Sequence, residues 1–165
     1  MELTDTIAAG VRFRDLGPED LADLGWSGGN AHLTEVAGQL GRAYAGEVVL
    51  LVGVLPNDRL VAMGGLDLRR EPGVGLLWML AVHETLQSLG IGGRLITALE
   101  QRAIEAGCGL ARMTVEHDNP RALALYRRSG YREVGNTIES WPVAGGRTYV
   151  MACLVLERPL GPPPH

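Results

Sequence analysis

The chain has 165 residues, 46% hydrophobic and 21% charged, the balance of one globular domain built on a single core. Its 19 acidic and 15 basic residues give a formal charge of -4 with no basic run longer than a pair, which disfavours a nucleic-acid partner. No apolar stretch reaches membrane-spanning length and residues 1–10 lack the basic start and apolar core of a secretory signal, so no membrane partner is expected and the cytoplasm is the expected address.

All 15 basic residues are arginine and none is lysine, so the chain offers no lysine of its own to an acylating reagent. The two cysteines, Cys108 and Cys153, lie far apart beside apolar residues and read as buried free thiols rather than as a disulfide. Four histidines without a Cys/His cluster make a metal site unexpected.

In chain order, residues 1–10 have no clear period and read as a loose arm, and 11–16 alternate as a short strand. Gly17-Pro18-Glu19-Asp20-Leu21 opens a helix with proline and acids in its first turn. Trp26-Ser27-Gly28-Gly29 breaks it, and Asn30 caps a second helix with Leu33, Val36, Ala37, Leu40 and Tyr44 on one face. Residues 48–54, 60–68 and 76–82 form a three-strand meander, with turns at Pro56-Asn57-Asp58 and Glu71-Pro72-Gly73 and a bulge expected at Gly64-Gly65.

The meander runs into Gln87-Ser88-Leu89-Gly90-Ile91-Gly92-Gly93-Arg94, which reads as an anion cradle. None of the eight is proline, so each offers a backbone N–H, and three glycines leave the main chain open to a phosphate. The helix that follows, Ile91 to about Ala106, points its positive end at the same spot. Leu95 stands where a dinucleotide fingerprint needs glycine, and Arg94-Leu95 where a P-loop needs Lys-Ser/Thr, so both nucleotide motifs fail. On this helix Leu95, Leu99, Ala103 and Ala106 mark the apolar face, and Arg94, Thr97, Glu100, Gln101 and Glu105 the polar one.

Residues 110–116 form the next strand, parallel to the one before the cradle by the right-handed crossover rule. Asn119 caps a further helix with Pro120 at its first position, ended by Ser129-Gly130-Tyr131; its apolar face is Leu123, Tyr126 and Leu125. Residues 131–138 and 148–156 pair as a last hairpin, and 157–165 form a proline-rich tail that lacks core residues and is expected to be disordered.

Gln87-x-x-Gly90-x-Gly92 resembles the acyl-coenzyme A signature of the GNAT N-acetyltransferase superfamily. Asn119-Pro120-Arg121-Ala122 with Leu125-Tyr126 and Gly130-Tyr131 is similar to its second cofactor-contacting segment. The resemblance covers residues 11–156 and implies an α/β (α+β) GNAT acyltransferase fold. That fold is a mixed, mostly antiparallel central sheet with a parallel strand pair splayed at the cofactor site, flanked by about four helices. It implies an N-acetyltransferase using acetyl-CoA and an amine substrate, with a homodimer allowed; the alternative is a non-catalytic acyl-CoA-binding module on the same fold.

By the same resemblance, main-chain groups of Leu80 and Val82 hold the acyl and pantetheine portion. Amides from Gln87, Ser88, Leu89, Gly90, Ile91, Gly92, Gly93 and Arg94 hold the pyrophosphate, and Arg94, Arg127 and Arg128 are candidates for the outer phosphate. Asn119 is a candidate contact for the pantetheine arm, although an N-cap role accounts for it equally well. Tyr126 is the candidate acid beside the sulfur; on its helix pattern alone it reads as core packing. Glu116 is the leading candidate base because it is nearest the expected gap, with Glu47, His83, Glu84 and Glu139 as rivals. Three groups of aromatic and polar residues suit an ammonium ligand: Trp26 with Asn30 and His32, Tyr44 with Glu47, and Glu139-Ser140-Trp141.

Overall fold

The computed structural model describes residues 3–161. The chain begins with α1 (Leu3–Gly10) and β1 (Arg12–Asp15), passes through two 3₁₀ turns (Pro18–Asp23 and Gly25–Ser27), and forms α2 (Asn30–Tyr44). The meander is β2 (Val48–Val54), β3 (Leu60–Glu71) and β4 (Val74–Val82), followed by a 3₁₀ turn (Glu84–Leu86). Then come α3 (Ile91–Glu105), β5 (Leu110–Glu116), α4 (Pro120–Arg128) and the hairpin β6 (Arg132–Val143) and β7 (Arg147–Pro159). The strands make one seven-stranded sheet in the order β1-β2-β3-β4-β5-β7-β6, antiparallel except for the β4–β5 pair. This is the mixed sheet with one parallel pair that the sequence leads one to expect.

Both faces of the sheet centre are covered, which is why β2 is apolar at every position and fully buried. Its alternate residues part: Val48, Leu50, Val52 and Val54 pack with Val36 and Leu40 of α2, whereas Val49 and Leu51 pack with Leu95, Ile96 and Leu99 of α3. Each large aliphatic buried in this way contributes about 1.5–3 kcal/mol before the entropy of ordering it. α4 joins the α3 face through Ala122, Leu123, Leu125 and Tyr126.

Several local expectations are corrected. The helix expected after Gly17 is a pair of 3₁₀ turns, because Asp20 folds back to accept the Gly17 N–H at 2.8 Å and a bidentate contact from Arg14 at 2.7 and 2.9 Å. The Arg14 guanidinium holds the Asp20 carboxyl below its ordinary range. The N-cap of α2 is Gly29, with Asn30 as the first helical residue. Residues 3–10 are helical rather than loose, and Ala8 is buried in the core. In the tail, β7 continues to Pro159 and Leu160 is a core residue, while residues 162–165 lie outside the described residues. Glu100, expected on the polar face of α3, is buried: Arg158 of β7 grips it at 2.9 and 3.0 Å and Tyr131 donates to it at 3.2 Å.

Two features of β4 position the site. It pairs with β5 only at Val74↔Leu110, Gly75↔Ala111 and Leu76↔Arg112, and beyond Leu76 the two strands part. Against β3 the register slips between Met63↔Ala81 and Gly65↔Trp78, so Met79 and Leu80 together stand opposite Gly64. Met79 takes φ +57° there, a conformation that costs a non-glycine residue free energy. A Cβ on Gly64 would meet Leu80 at 2.7 Å, and one on Gly65 the Trp78 ring at 2.7 Å, so the glycine pair makes room for the bulge.

Candidate active site

On the α3 face the split opens into a groove of about 530 Å³ between the end of β4, the N-terminus of α3 and one side of α4. The cradle forms its mouth. Ser88 (φ +68°) and Gly90 (φ +88°) both take left-handed conformations, so the chain turns sharply into α3 with Gly90 as N-cap. Of the residues singled out above, Leu80, Val82, Gln87, Ser88, Gly90, Gly92, Gly93, Asn119 and Tyr126 line this groove. The His83 N–H bonds Val61 C=O at 2.8 Å and Ala62 stands opposite Val82, so the main-chain groups of Val82 point away from β3, toward the side β5 has vacated. The Gln87 amide already donates to Val82 C=O at 3.1 Å.

The other expected cofactor contacts, Arg128 aside, lie elsewhere. Leu89 and Arg94 do not line the groove, and Ile91 is buried in the core, which leaves these three only their backbone amides at the cradle. Arg94 stacks its guanidinium over Phe13 at 5.8 Å, and Arg127 is ion-paired with Glu133. The arginines that do face the groove are Arg128 and Arg121, a member of the 119–122 segment that is not among the phosphate candidates; Arg121 donates to Ser88 Oγ at 2.6 Å and ties α4 to the cradle. Ala122 and Leu125 also line it; with Asn119 and Tyr126 they follow the three- and four-residue spacing of one helix face, a signal present in the sequence.

Asn119 does act as the N-cap of α4, accepting the Ala122 N–H at 3.2 Å. Tyr126 is largely enclosed by its neighbours, and burial pushes its phenol above the ordinary value. Among the described residues its hydroxyl has no hydrogen-bond partner. It is therefore a protonated donor at neutral pH.

Glu116 is not in this groove. It lines a cavity of about 290 Å³ on the opposite face, under α2, with Trp78, Thr114, Glu139, Trp141 and Cys153. Burial and the neighbouring Asp118 raise its carboxyl above the usual range. Among the rival bases, Glu139 shares this cavity, Glu47 is held by Arg42 at 3.0 Å, and His83 accepts from the Thr85 N–H at Nδ1 and lies against the Trp26 ring. Glu84 lines a third cavity, of about 450 Å³, with Trp26, Ser27 and the end of β4. No group of His, Cys, Asp and Glu suited to a metal ion occurs among the described residues. No helix among them is long and apolar enough to cross a membrane.

Residues 4–131 match the model of the acetyltransferase (GNAT) family. The chain belongs to this family. Solved structures agree with the GNAT assignment at the level of fold. A spermidine/spermine N-acetyltransferase from Vibrio cholerae superposes with a TM-score of 0.73 at 15% identity, covering 92% of this chain and 94% of that one. The ribosomal-protein-S18-alanine N-acetyltransferase from Escherichia coli gives 0.68 at 18%, covering 93% and 96%. A Vibrio cholerae spermidine N-acetyltransferase solved with CoA and spermine gives 0.73 at 14%, covering 92% and 96%. No curated protein matches the chain.

Both thiols of this GNAT chain are free, and burial pushes each above its ordinary value; for Cys153 the nearby Glu139, Glu116 and Asp118 carboxylates add to the effect. Neither is a thiolate at neutral pH.

Proposed function

We propose that this chain transfers an acyl group, in the first instance acetyl, from acetyl-CoA to a primary amine of a small molecule or peptide by direct attack. The observation that carries this reading is the split between β4 and β5. On one face it meets a groove whose charged lining residues, among those described, are Arg121 and Arg128 alone, and on the other a cavity holding Glu116. An anionic ligand suits the first and an ammonium the second.

The groove fits acetyl-CoA. The amides from Gln87 to Gly93 would hold the pyrophosphate at the start of α3, where the helix dipole favours negative charge. Arg121 and Arg128 would neutralise phosphate oxygens, and the Val82 N–H with the Asn119 side chain would hold the pantetheine arm. When bound, acetyl-CoA supplies a thioester carbonyl that accepts the amine nitrogen and releases a thiolate.

Two residues do the rest. An alkyl ammonium with a pKa of ~10.4 is neutral only about once in a few thousand molecules at pH 7, a penalty of about 4.6 kcal/mol. Glu116 relieves it by taking the amine proton, directly or through water, and its raised pKa makes it a stronger base than an ordinary carboxylate. Tyr126 donates a hydrogen bond to the departing sulfur. Full proton transfer from phenol to thiolate is uphill by about 2 kcal/mol even at reference pKa values, and burial of the phenol widens the gap, so stabilisation of developing charge precedes any transfer. The elevated thiol pKa values support direct attack over an acyl-cysteine route.

The test is release of free thiol from acetyl-CoA across an amine panel. Amine-dependent release is expected. Thermal stabilisation by acetyl-CoA without turnover on any amine would instead favour a binding module.

A further inference from the structure

Three groups in the sequence combine an aromatic ring with polar or acidic residues, and the structure separates them. Tyr44 is 73% exposed and its partner Glu47 is engaged by Arg42. Trp26 lines the third cavity, and its buried indole N–H has no hydrogen-bond partner among the described residues. Only Glu139 and Trp141 share a cavity with Glu116.

They do so because the β6–β7 hairpin outruns β5. The β5–β7 ladder ends at Glu116↔Cys153, while β6 and β7 continue through Thr137↔Cys153, Glu139↔Met151 and Trp141↔Tyr149. The period of two places Glu116, Cys153, Thr137, Glu139 and Trp141 on one face, the face under α2. Two strand spacings across and two residues along put the Cα atoms of Glu116 and Glu139 ~12 Å apart, with Trp141 one further step out. Trp141 is braced by Tyr149, ring centroids 4.9 Å apart, and Trp78 walls the other side of the cavity over the bare backbone of Gly65.

The charges of this cavity do not balance. Arg42 is neutralised by Glu47 and Asp67, both at 3.0 Å. Glu116 and Glu139 have no cationic partner among the described residues; the one unengaged arginine on the lining is Arg70, and Glu35 adds a further carboxylate. Two partly enclosed acids thus flank a reaction face, with the Trp141 indole beside the outer one and Trp78 on the far wall. An alkylammonium is attracted to an indole face and to a carboxylate together.

We infer that the acceptor is a linear diamine, its reacting amine at Glu116 and its second ammonium held between Glu139 and Trp141. This rests on the transferase reading above. Both nitrogens are cationic in solution; Glu116 removes the proton from one, and the other keeps its charge throughout. An acceptor with a carboxylate at its far end is repelled, and a monoamine leaves the outer subsite empty.

The experiment compares 1,5-diaminopentane, pentylamine and 5-aminopentanoate as acceptors at saturating acetyl-CoA, with calorimetric titration of each into the protein in the presence of CoA. The diamine is expected to exceed pentylamine at least tenfold in kcat/KM and in affinity, with 5-aminopentanoate last. Glu139→Gln and Trp141→Ala are each expected to collapse the diamine-to-monoamine ratio to within threefold. Transfer or binding without a diamine preference, or a preference that survives both substitutions, overturns the diamine assignment and leaves the transferase reading standing. Absence of both CoA binding and transfer to any of the three overturns the transferase reading and the inference with it.

Discussion

Replacing Gly92 by glutamate is expected to weaken acetyl-CoA binding at least 100-fold, a loss of about 2.7 kcal/mol or more, while the protein stays folded. Gly92 sits in the first turn of α3 on the groove lining, and a Cβ there would lie 2.9 Å from Leu125 Cδ2 of α4. The leucine tip can give way, so the fold tolerates the change. The added carboxylate, however, enters the space between the two helices, where Arg121 and Arg128 now create a positive field and the α3 amides are unpaired. Titration calorimetry reads the loss, and an unchanged circular dichroism spectrum separates it from unfolding. Binding at the wild-type level would remove the cradle from the cofactor site.

Tyr126→Phe is expected to lower kcat by about 100-fold and to leave KM for acetyl-CoA within about threefold, because the hydroxyl is proposed to act on charge that develops only as the thiolate leaves. The ring remains to fill its place between α4 and the core. The pH profile carries an independent sign. A base must be deprotonated to work, so activity should fall as pH falls through the Glu116 pKa, and that acid limb should lie above the ordinary carboxylate range. It persists in Tyr126→Phe and is lost in Glu116→Gln. Full activity of the phenylalanine variant would exclude Tyr126 from the chemistry.

Much of this site is local in sequence, which is why it can be read there. Gln87 to Gly93 need only glycines at a strand-to-helix turn, and Asn119-Pro120 is a helix start by its own chemistry. Residues whose roles depend on docking are harder. Arg94, Arg121, Arg127 and Arg128 differ only in their angle around a helix, and the angle at which α3 and α4 meet the sheet decides that Arg121 and Arg128 face the groove while Arg94 finds Phe13 and Arg127 finds Glu133. Glu100 looks solvated because its partner Arg158 is 58 residues further on. The Met79 bulge has no signature in its own strand beyond the glycine pair opposite it. Glu116 is found at the end of its strand as expected, yet that it lies on the opposite face from Tyr126's groove, beside Glu139 and Trp141, follows from strand register.

In the proposed reaction acetyl passes from acetyl-CoA in the α3 groove to an amine on the α2 face without stopping on the protein. Incubation with acetyl-CoA labelled with ¹³C in the acetyl group, followed by mass spectrometry of both the amine and the intact protein, tests it most directly. The label is expected in an amide on the acceptor and not on Cys108 or Cys153. Label recovered only as free acetate, or as a thioester on either cysteine that is then passed to the amine, would contradict it.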